Sequence, residues 1–358
     1  MKTITFLLIT IIAWTQVSWA GRAPIETISA DPYVSALVVE ADSGKILFED
    51  NGDAVIYPAS VLKLMVLLVV LEQLEQGALN LGDMVQVTPE AARMGGSQVY
   101  LDPKEAFSVE DLLYALMIQS ANDAAVALAI HVSGSVQGFV SLMNERAAEL
   151  DMKNSAFHSV HGLPPAEGQK PDRTTAVDLS ILSRELAKKP ETFKYTGTTE
   201  RGFRDNTFVM RTHNHLLKSV AGCDGFKTGY FKAGGFSIVA TAKRDGVRII
   251  AMVLGSRDRK IRDARAAELL AKGFALAPPL PDPKITVVET DSAPGVRSDS
   301  ENLSAEGGQT SGKEADKRFF SFDRLLIFFL GFLCGCLFSL LLLLFRSSRR
   351  PGKRRRFV

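Results

Sequence analysis

Alternating apolar and polar positions predict two β-hairpins in this chain. The first spans residues 35–50, with a polar turn at residues 41–44. The second joins residues 236–242 to residues 247–254 through the turn Lys243-Arg244-Asp245-Gly246. A period of two on either side of a short Gly-containing turn is typical of antiparallel strands.

Helical spacing predominates between the two hairpins. A nearly continuous apolar run predicts a buried helix over residues 60–76, which Gly77 ends. Ser108 and Asp111 resemble a capping box at the start of a further helix. The other segments with helical spacing are residues 112–118, 124–132, 178–188 and 262–274. Strands at both ends and helices between them predict an α+β fold, in which one antiparallel sheet is assembled from both ends and packs against helices.

Apolar runs at the two ends of the chain have the lengths of an export signal and a membrane anchor. Residues 1–20 contain Lys2, an apolar run of about ten residues and Ser18-Trp19-Ala20, a pattern typical of a cleaved signal peptide. Residues 325–345 carry no charge, and as a helix they span about 31 Å, enough for one bilayer crossing. We therefore expect one C-terminal transmembrane helix over residues 324–345.

Charge is distributed unevenly, although the formal net charge is only +2. Seven of the last thirteen residues, 346–358, are Arg or Lys. Residues 21–345 carry −6, because eight of the 42 cationic residues lie outside them and all 40 acidic residues lie within. The positive-inside rule predicts a cytoplasmic tail and an extracytoplasmic body on a cell membrane. The negative body excludes a basic nucleic-acid-binding domain.

Composition sets the remaining domain boundaries. Residues 280–323 begin rich in proline and continue rich in Ser, Gly and acidic residues, which predicts a flexible linker. Residues 21–279 remain as one globular domain. Cys334 and Cys336 lie in the apolar span, so Cys223 has no extracytoplasmic partner, and we expect an inert thiol and no disulfide framework.

The first motif with chemical meaning is Ser60-Val61-Leu62-Lys63, at the start of the predicted buried helix. Positions three apart share a helix face, so Lys63 can reach the Ser60 hydroxyl. A lysine accepts a serine proton only if burial or a neighbouring cation lowers its pKa. Ser-x-x-Lys is common by chance, but an ammonium in so apolar a helix is costly unless it has a partner.

Two further motifs lie later in the chain. Ser120-Ala121-Asn122 is a polar triplet between two apolar helices, where a hydroxyl and an amide can bridge a lysine and a substrate backbone. Lys227-Thr228-Gly229 opens the strand-rich third. There a lysine and a hydroxyl suit a carboxylate, and a glycine permits close approach of another backbone. Taken alone, the first triplet is more typical of a helix cap and the second of a solvated turn.

In this order the three motifs match the set found in penicillin-binding proteins and class A β-lactamases. Over about residues 30–275 the chain resembles the low-molecular-weight penicillin-binding proteins, the serine D-alanyl-D-alanine carboxypeptidase family. The supporting stretches are residues 58–65, 119–125, 160–164, 214–217 and 224–235. The resemblance implies a β-lactamase/transpeptidase-like fold, in which helices flank the antiparallel sheet and form a helical subdomain.

The resemblance also implies roles for individual residues. Ser60 is the acylated nucleophile, Lys63 the proton acceptor and Ser120 the proton shuttle to the leaving D-alanine. The implied substrate-binding residues are Asn122, Lys227, Thr228, Gly229, Tyr230 and Arg257.

In this assignment Asn122 positions Lys63 and the substrate amide, while Lys227 and Thr228 hold the terminal carboxylate. Arg257 is a weaker candidate to help them. Backbone N–H groups of Ser60 and Tyr230 form the oxyanion hole.

Some positions depart from the family pattern or stand outside it. Family members often have Gly where this chain has Ala121, and many carry a second β-rich domain and an amphipathic C-terminal helix. His213 stands where some relatives have a cation facing the cleft, and His161 lies in a family signature. For both histidines a structural hydrogen bond is expected rather than catalysis.

The expected activity is a D-Ala-D-Ala carboxypeptidase that acts on peptidoglycan pentapeptides and takes β-lactams as covalent inhibitors. A D,D-endopeptidase that cleaves cross-links uses the same chemistry, and the sequence does not separate the two. An anchored β-lactamase is disfavoured, because Glu167 lacks the Asn that its family places four residues later and position 171 is Pro. A non-catalytic peptidoglycan sensor remains the alternative of a different class. No cofactor is expected, and no metal, because the five histidines lack ligand spacing.

Overall fold

The computed structural model describes residues 25–277, which are built around a five-stranded antiparallel sheet. In spatial order the strands are β2 (Ile46–Asp50), β1 (Ser35–Glu40), β9 (Val247–Ser256), β8 (Gly235–Arg244) and β7 (Cys223–Phe231). Strand β1 pairs with β9, with Leu37 opposite Met252. Both predicted hairpins are confirmed, as is a sheet assembled from both ends of the domain.

The sheet is covered on both faces, and the period-two alternation of its strands divides the core into two parts. Leu37 and Val39 face the larger core, whereas Ala36 and Val38 face the smaller one. The smaller core is closed by α9 (Arg259–Leu276), and a Cβ on Gly273 of that helix would lie 2.9 Å from Val38. Burial of both faces explains why the central strands are almost wholly apolar.

The larger core contains most of the helical layer. Its central helix, α1 (Lys63–Glu75), has nine consecutive buried residues from Lys63 to Leu71, which confirms the predicted buried helix. The other helices are α2 (Pro89–Ala92), α3 (Val109–Tyr114), α4 (Asn122–Ser133), α5 (Val136–Glu149), α6 (Ala176–Ala187), α7 (Glu191–Thr196) and α8 (Leu216–Ser219). Two short two-stranded sheets complete the fold, β3 (Met84–Gln86) with β4 (Ala106–Ser108), and β5 (Glu200–Phe203) with β6 (Phe208–Arg211).

The predicted helices are present, with shifted bounds. Ser108 accepts a hydrogen bond from the Asp111 amide at 3.1 Å and caps α3 as predicted. Residues 115–119 continue α3 as one π turn that ends at Ser120. The prediction that an α-helix begins at Ser60 is wrong, because residues 59–62 form a 3-10 turn and the α-helix begins at Lys63.

Several predicted segments lie outside the described residues. They are the signal peptide at residues 1–20, the whole of the linker, anchor and tail at residues 280–358, and Cys334 and Cys336. Within residues 25–277 no single helix is both long and apolar enough to cross a membrane, although α4 and α5, bent by 84°, meet those criteria as a pair. Cys223 is partly buried, and burial raises the pKa of its thiol to about 11, as expected for an inert thiol.

Candidate active site

Ser60 lies in a tight turn held between two glycines. Ala59 has a φ of +48°, in the left-handed region that a Cβ atom disfavours. A Cβ on Gly162 would lie 2.0 Å from the carbonyl oxygen of Ala59, and one on Gly229 would lie 3.0 Å from the backbone nitrogen of Ser60. Only glycine allows both neighbouring backbones so close. The close packing of Gly162 against Ala59 and of Gly229 against Ser60 tightens the turn. Because side chains at positions i and i+3 of a 3-10 turn eclipse each other, Ser60 is aligned with Lys63.

Lys63 contacts the nucleophile from a fully buried position. Its side chain is 0% exposed, and its Nζ lies 3.0 Å from Ser60 Oγ. The same Nζ donates hydrogen bonds of 2.8 Å to Asn122 Oδ1 and 2.8 Å to the carbonyl oxygen of His161. A neutral amine has two N–H bonds and one lone pair, which matches two carbonyl acceptors and one hydroxyl donor. The surroundings therefore suit an uncharged Lys63 that accepts the Ser60 proton.

The electrostatics favour the same state. Burial lowers the pKa of Lys63 well below its usual value, and the positive charge of Lys227 lowers it further. The negative charges of Asp123 and Asp172 act in the opposite direction. Desolvation is the largest of these effects, because water no longer solvates the ammonium.

Asp172 organises the loop that holds Lys63. Its carboxylate is buried and accepts hydrogen bonds from the His158 amide at 2.6 Å, the Ser159 amide at 2.9 Å and the Ser159 hydroxyl at 2.7 Å. Ser159 Oγ in turn accepts from the Gly162 amide at 2.9 Å. The His161 carbonyl that binds Lys63 lies between these two fixed residues. His161 Nδ1 accepts from the Leu163 amide, the structural hydrogen bond predicted for this residue.

The Ser120-Ala121-Asn122 triplet bridges the helical layer and the sheet. Ser120 ends the π turn with a φ of +60°, and Asn122 begins α4. Asn122 Nδ2 donates to the carbonyl oxygen of Gly95 at 2.7 Å, while its backbone amide donates to Ser97 O at 2.8 Å. The Asn122 amide plane is thereby fixed with Oδ1 toward Lys63.

Lys227 joins the triplet from β7, the edge strand of the sheet. Its Nζ donates to Ser120 Oγ at 2.9 Å and to the carbonyl oxygen of Thr228 at 3.1 Å. Burial, together with the nearby charge of Arg262, lowers the pKa of Lys227 to about 7. Tyr230 is 55% exposed at the rim, and its ring stacks on Phe236 with centroids 4.0 Å apart.

These residues surround a cleft of about 290 Å³. Its lining residues are Ser60, Ser97, Ser120, His213, His215, Thr228, Gly229, Tyr230, Phe236, Arg259 and Arg262. Lys63, Asn122 and Lys227 are buried behind this wall. All the predicted catalytic residues and every predicted binding residue except Arg257 thus come together. Arg257 lies outside the lining, where it pairs with Asp31 at 3.3 Å and donates to Ser29 O.

Sequence reasoning did not identify Arg259 and Arg262, the two arginines that line the cleft. Arg262 is 2% exposed, and its guanidinium binds Asp263 Oδ1 and the carbonyl oxygen of Ser237. It occupies the buried stripe of α9 with Ala266, Leu269, Leu270 and Gly273. The sequence signal that could have identified Arg262 is a single cation among the otherwise apolar positions of one helix face.

His213 also lines the cleft, and its side chain makes no hydrogen bond to the described residues, so the structural hydrogen bond predicted for it is wrong. Surrounding protein lowers the pKa of its imidazole, and the charge of Lys227 lowers it further. Among residues 25–277 no group of three His, Cys, Asp or Glu residues is arranged to hold a metal ion.

Comparison with known proteins relates this cleft to one family. The model of the D-alanyl-D-alanine carboxypeptidase family, Peptidase S11, matches residues 21–258. The chain is 38% identical over 244 residues to D-alanyl-D-alanine carboxypeptidase DacF of Bacillus subtilis, covering 67% of this chain and 62% of that protein. It is 37% identical over 265 residues to D-alanyl-D-alanine carboxypeptidase DacC of Escherichia coli, covering 72% of this chain and 64% of that protein. The chain therefore matches less than two thirds of the length of these relatives.

A solved structure has a similar fold. Penicillin-binding protein D2 of Listeria monocytogenes, in its ampicillin-bound form, is 29% identical, with a TM-score of 0.62. The match covers 71% of this chain and 100% of that one. The α+β arrangement of an antiparallel sheet with flanking helices is thus that of penicillin-binding and transpeptidase proteins.

Proposed function

The chain belongs to the D-alanyl-D-alanine carboxypeptidase family of serine peptidases, and we propose that it removes the terminal D-alanine from peptidoglycan stem peptides. One observation carries the proposal: the buried amine of Lys63 lies 3.0 Å from Ser60 Oγ, in surroundings that suit its neutral form. A serine hydroxyl becomes an effective nucleophile when such a base lies within hydrogen-bond reach.

Acylation begins when Ser60 Oγ attacks the carbonyl carbon of the penultimate D-alanine and Lys63 Nζ accepts the hydroxyl proton. The negative charge on the tetrahedral oxygen is stabilised by backbone N–H groups of Ser60 and Tyr230. The C–N bond then breaks as Ser120 gives its proton to the leaving nitrogen and takes a replacement from Lys63, so D-alanine departs as the free amine and Lys63 is neutral again. Water afterwards attacks the Ser60 ester while Lys63 accepts one of its protons, and that proton passes to Ser60 Oγ as the shortened peptide is released.

Substrate orientation follows from the edge position of β7. An extended peptide can add alongside this strand, since its outer edge has no partner strand in the five-stranded sheet. Lys227, Thr228 and Arg262 then receive the terminal carboxylate, because they supply positive charge and a hydroxyl beside the nucleophile. In this assignment Arg262 takes the role that the sequence offered to Arg257.

The proposal is tested by D-alanine release and by labelling with a fluorescent penicillin. We expect both with the full chain, neither with Ser60→Ala, and both with Ser141→Ala, a matched change at an exposed serine. Absence of both reactions in the folded wild-type chain would contradict the enzyme and favour a peptidoglycan sensor. Products from cross-linked dimers, analysed by mass spectrometry, separate the endopeptidase, which yields monomers, from the carboxypeptidase, which yields D-alanine.

We further propose that the enzyme is exported and anchored by its ends. The pattern of residues 1–20 supports a cleaved signal peptide, and the uncharged run at 325–345 followed by a basic tail supports a single-pass anchor with a cytoplasmic C-terminus. A reporter fused after Val358 that is active only in the cytoplasm tests the orientation. An inactive reporter on a protein that is present in the membrane would reverse the orientation, and release of the protein from membranes by high salt would exclude the anchor.

A further inference from the structure

A loop over residues 95–101 borders the cleft and fixes Asn122. Ser97 of this loop lines the cleft, and its carbonyl oxygen accepts a hydrogen bond from the Asn122 backbone amide at 2.8 Å. The Gly95 carbonyl oxygen accepts another from Asn122 Nδ2 at 2.7 Å. Since Asn122 Oδ1 is an acceptor of Lys63 Nζ, a displacement of the loop is transmitted to the proposed base.

Close packing strengthens this link between the loop and Asn122. Gly96 has a φ of +80°, and a Cβ on it would lie 2.8 Å from Asn122 Nδ2 and 3.1 Å from Leu163 Cδ2. Atoms packed this closely move together, because protein interiors leave few voids into which a side chain could yield. The position of the loop backbone thus sets the position of the Asn122 amide.

The next part of the loop has a backbone conformation that its own residues do not favour. Tyr100 has a φ of +59°, in the left-handed region, where a bulky side chain is an outlier. Its ring is 67% exposed, so burial of the ring does not explain this conformation. Strained residues persist only where surrounding contacts determine their conformation. Contacts from outside the loop therefore hold this segment in place.

Two of these contacts come from the first turn of α4. Asp123 is fully buried, and its carboxylate accepts hydrogen bonds of 3.1 Å from the Val99 amide and 3.1 Å from the Leu101 amide. These two amides flank Tyr100. Asp123 is the second residue of α4, so the loop is attached to the end of the helix that begins with Asn122.

The other contacts come from Arg204, in the turn that joins β5 and β6. Its Nη1 donates to the carbonyl oxygen of Val99 at 2.6 Å, and its Nη2 donates to that of Tyr100. Its Nε and Nη2 also donate to the two oxygens of the Glu105 carboxylate, at 2.6 Å and 2.8 Å. This two-pronged ion pair fixes the plane of the guanidinium. Arg204 thereby holds carbonyl groups of the segment whose amide groups Asp123 holds.

We propose that Arg204 is a positioning residue for the acylation step, although it is not among the residues that line the cleft. Together with Asp123 it holds the strained segment of the loop in place. The loop then orients Asn122, whose side-chain oxygen meets the amine of Lys63. The inference rests on the proposed function, because it gives Arg204 a part in placing the base of that reaction.

The kinetic test compares Arg204→Met with the wild-type full chain. Methionine keeps an unbranched apolar side chain but removes every donor. Stopped-flow labelling with a fluorescent penicillin separates the acylation rate constant from the Kd of the noncovalent complex that precedes it. We expect the rate constant to fall at least about tenfold, because misplacement of a catalytic group by about an ångström costs about 100-fold. The Kd should stay close to the wild-type value, since Arg204 lies outside the cleft lining.

Arg146→Met is the matched control. Arg146 pairs with Glu72 at 2.9 Å, and its side chain is 27% exposed against 22% for Arg204. Each variant loses an ion pair, so both are assayed at a temperature at which circular dichroism shows them folded. The acylation rate constant of Arg146→Met should equal that of the wild type. An unchanged rate constant in Arg204→Met, an equal loss in both variants, or a loss confined to the Kd would overturn the positioning role.

Hydrogen exchange measured by mass spectrometry separates this inference from the proposed function, because it needs no turnover. Protected backbone amides exchange through local opening. Exchange of residues 95–101 and of the Asn122 amide should become faster in Arg204→Met and keep the wild-type rate in Arg146→Met. Unchanged exchange in Arg204→Met would overturn the inference. If the wild type neither releases D-alanine nor labels with penicillin, the proposed function fails, and faster exchange in Arg204→Met alone would still support the hold of Arg204 on Asn122.

Discussion

Lys227 donates a hydrogen bond to Ser120 across 2.9 Å, although 107 positions separate the two residues in the chain. This contact joins the edge strand β7 to the end of the π turn that precedes α4. It places the proposed carboxylate-binding lysine next to the proposed proton shuttle, with Lys63 behind them. The reaction centre therefore depends on the relative position of the sheet and the helical layer.

Gly162→Ala should displace the Ser60 turn. The new Cβ would lie 2.0 Å from the carbonyl oxygen of Ala59, so the backbone before Ser60 must move. We expect the rate of acylation by a fluorescent penicillin to fall at least about 100-fold, since misplacement by about an ångström has that effect. Gly168→Ala is the matched control, because Gly168 also has positive φ, +78°, but open space around it. Equal acylation rates in the two variants would show that the close approach of Gly162 to Ala59 does not position Ser60.

Asp172→Asn should shift the pH dependence of acylation. The carboxylate of Asp172 raises the pKa of Lys63, so its removal lowers that pKa. Lys63 then stays neutral to lower pH, and the acid limb of the rate profile moves to lower pH. An asparagine oxygen can still accept from the His158 and Ser159 amides, so the loop retains its shape.

The control for this prediction is Asp151→Asn, which removes an exposed carboxylate paired with Lys153. It should leave the acid limb in place. An acid limb that shifts to higher pH in Asp172→Asn would contradict the predicted direction. An acid limb that stays in place while the rate falls would mean that Asp172 acts on the loop alone.

Lys227 should make stability rise with pH on the alkaline side. Its pKa is about 7 in the folded protein against an ordinary value of 10.5, so between these values the unfolded chain binds more protons. The free energy of unfolding therefore gains a contribution that rises by at most about 1.4 kcal/mol per pH unit over that window. Urea unfolding from pH 7 to pH 10 should show this slope reduced in Lys227→Met. Lys243→Met, at an exposed lysine, should retain it, and equal slopes in both variants would refute the assignment.

β-Lactam acyl-enzymes should persist for minutes or longer. Rapid hydrolysis needs a carboxylate that activates water, and no Asp or Glu of the described residues lines the cleft. Glu167, the acid that a β-lactamase assignment would use, is exposed and outside the lining. Glu167→Gln should leave the lifetime of the labelled protein unchanged in a nitrocefin chase. Fast turnover by the wild type, lost in this variant, would support a β-lactamase instead.

The sequence predicted the fold where local periodicity was strong. The outer hairpins, the buried helix α1 and the cap at Ser108 are all present, because alternation, apolar continuity and capping chemistry are local properties. The start of α1 was misplaced by three residues. Local spacing cannot reveal that Gly162, a hundred residues away, presses against Ala59 and tightens the turn.

Among the site residues, sequence and structure diverge at the arginines near the start of α9. Arg257 looked suitable because it follows a Gly-Ser pair after the last strand, but it pairs with Asp31 outside the cleft. Arg262, which lies inside α9, lines the cleft instead. Which side of a helix faces a cleft depends on its packing against the sheet, here through Gly273 and Val38.

The sequence by itself determined the reactive groups and their order, since three short motifs carry the hydroxyls, amines and amide that the chemistry needs. It also determined the α+β pattern, because the hydrophobic periods of strands and helices are visible within short stretches of sequence. Only the tertiary structure decided which groups meet: the 2.8 Å contact of Lys63 with His161 O, the bond between Lys227 and Ser120, and the pair formed by His215 and Arg259. The physical reason is that pKa values and ion pairing depend on burial and on distances of a few ångströms, and packing between distant segments sets both.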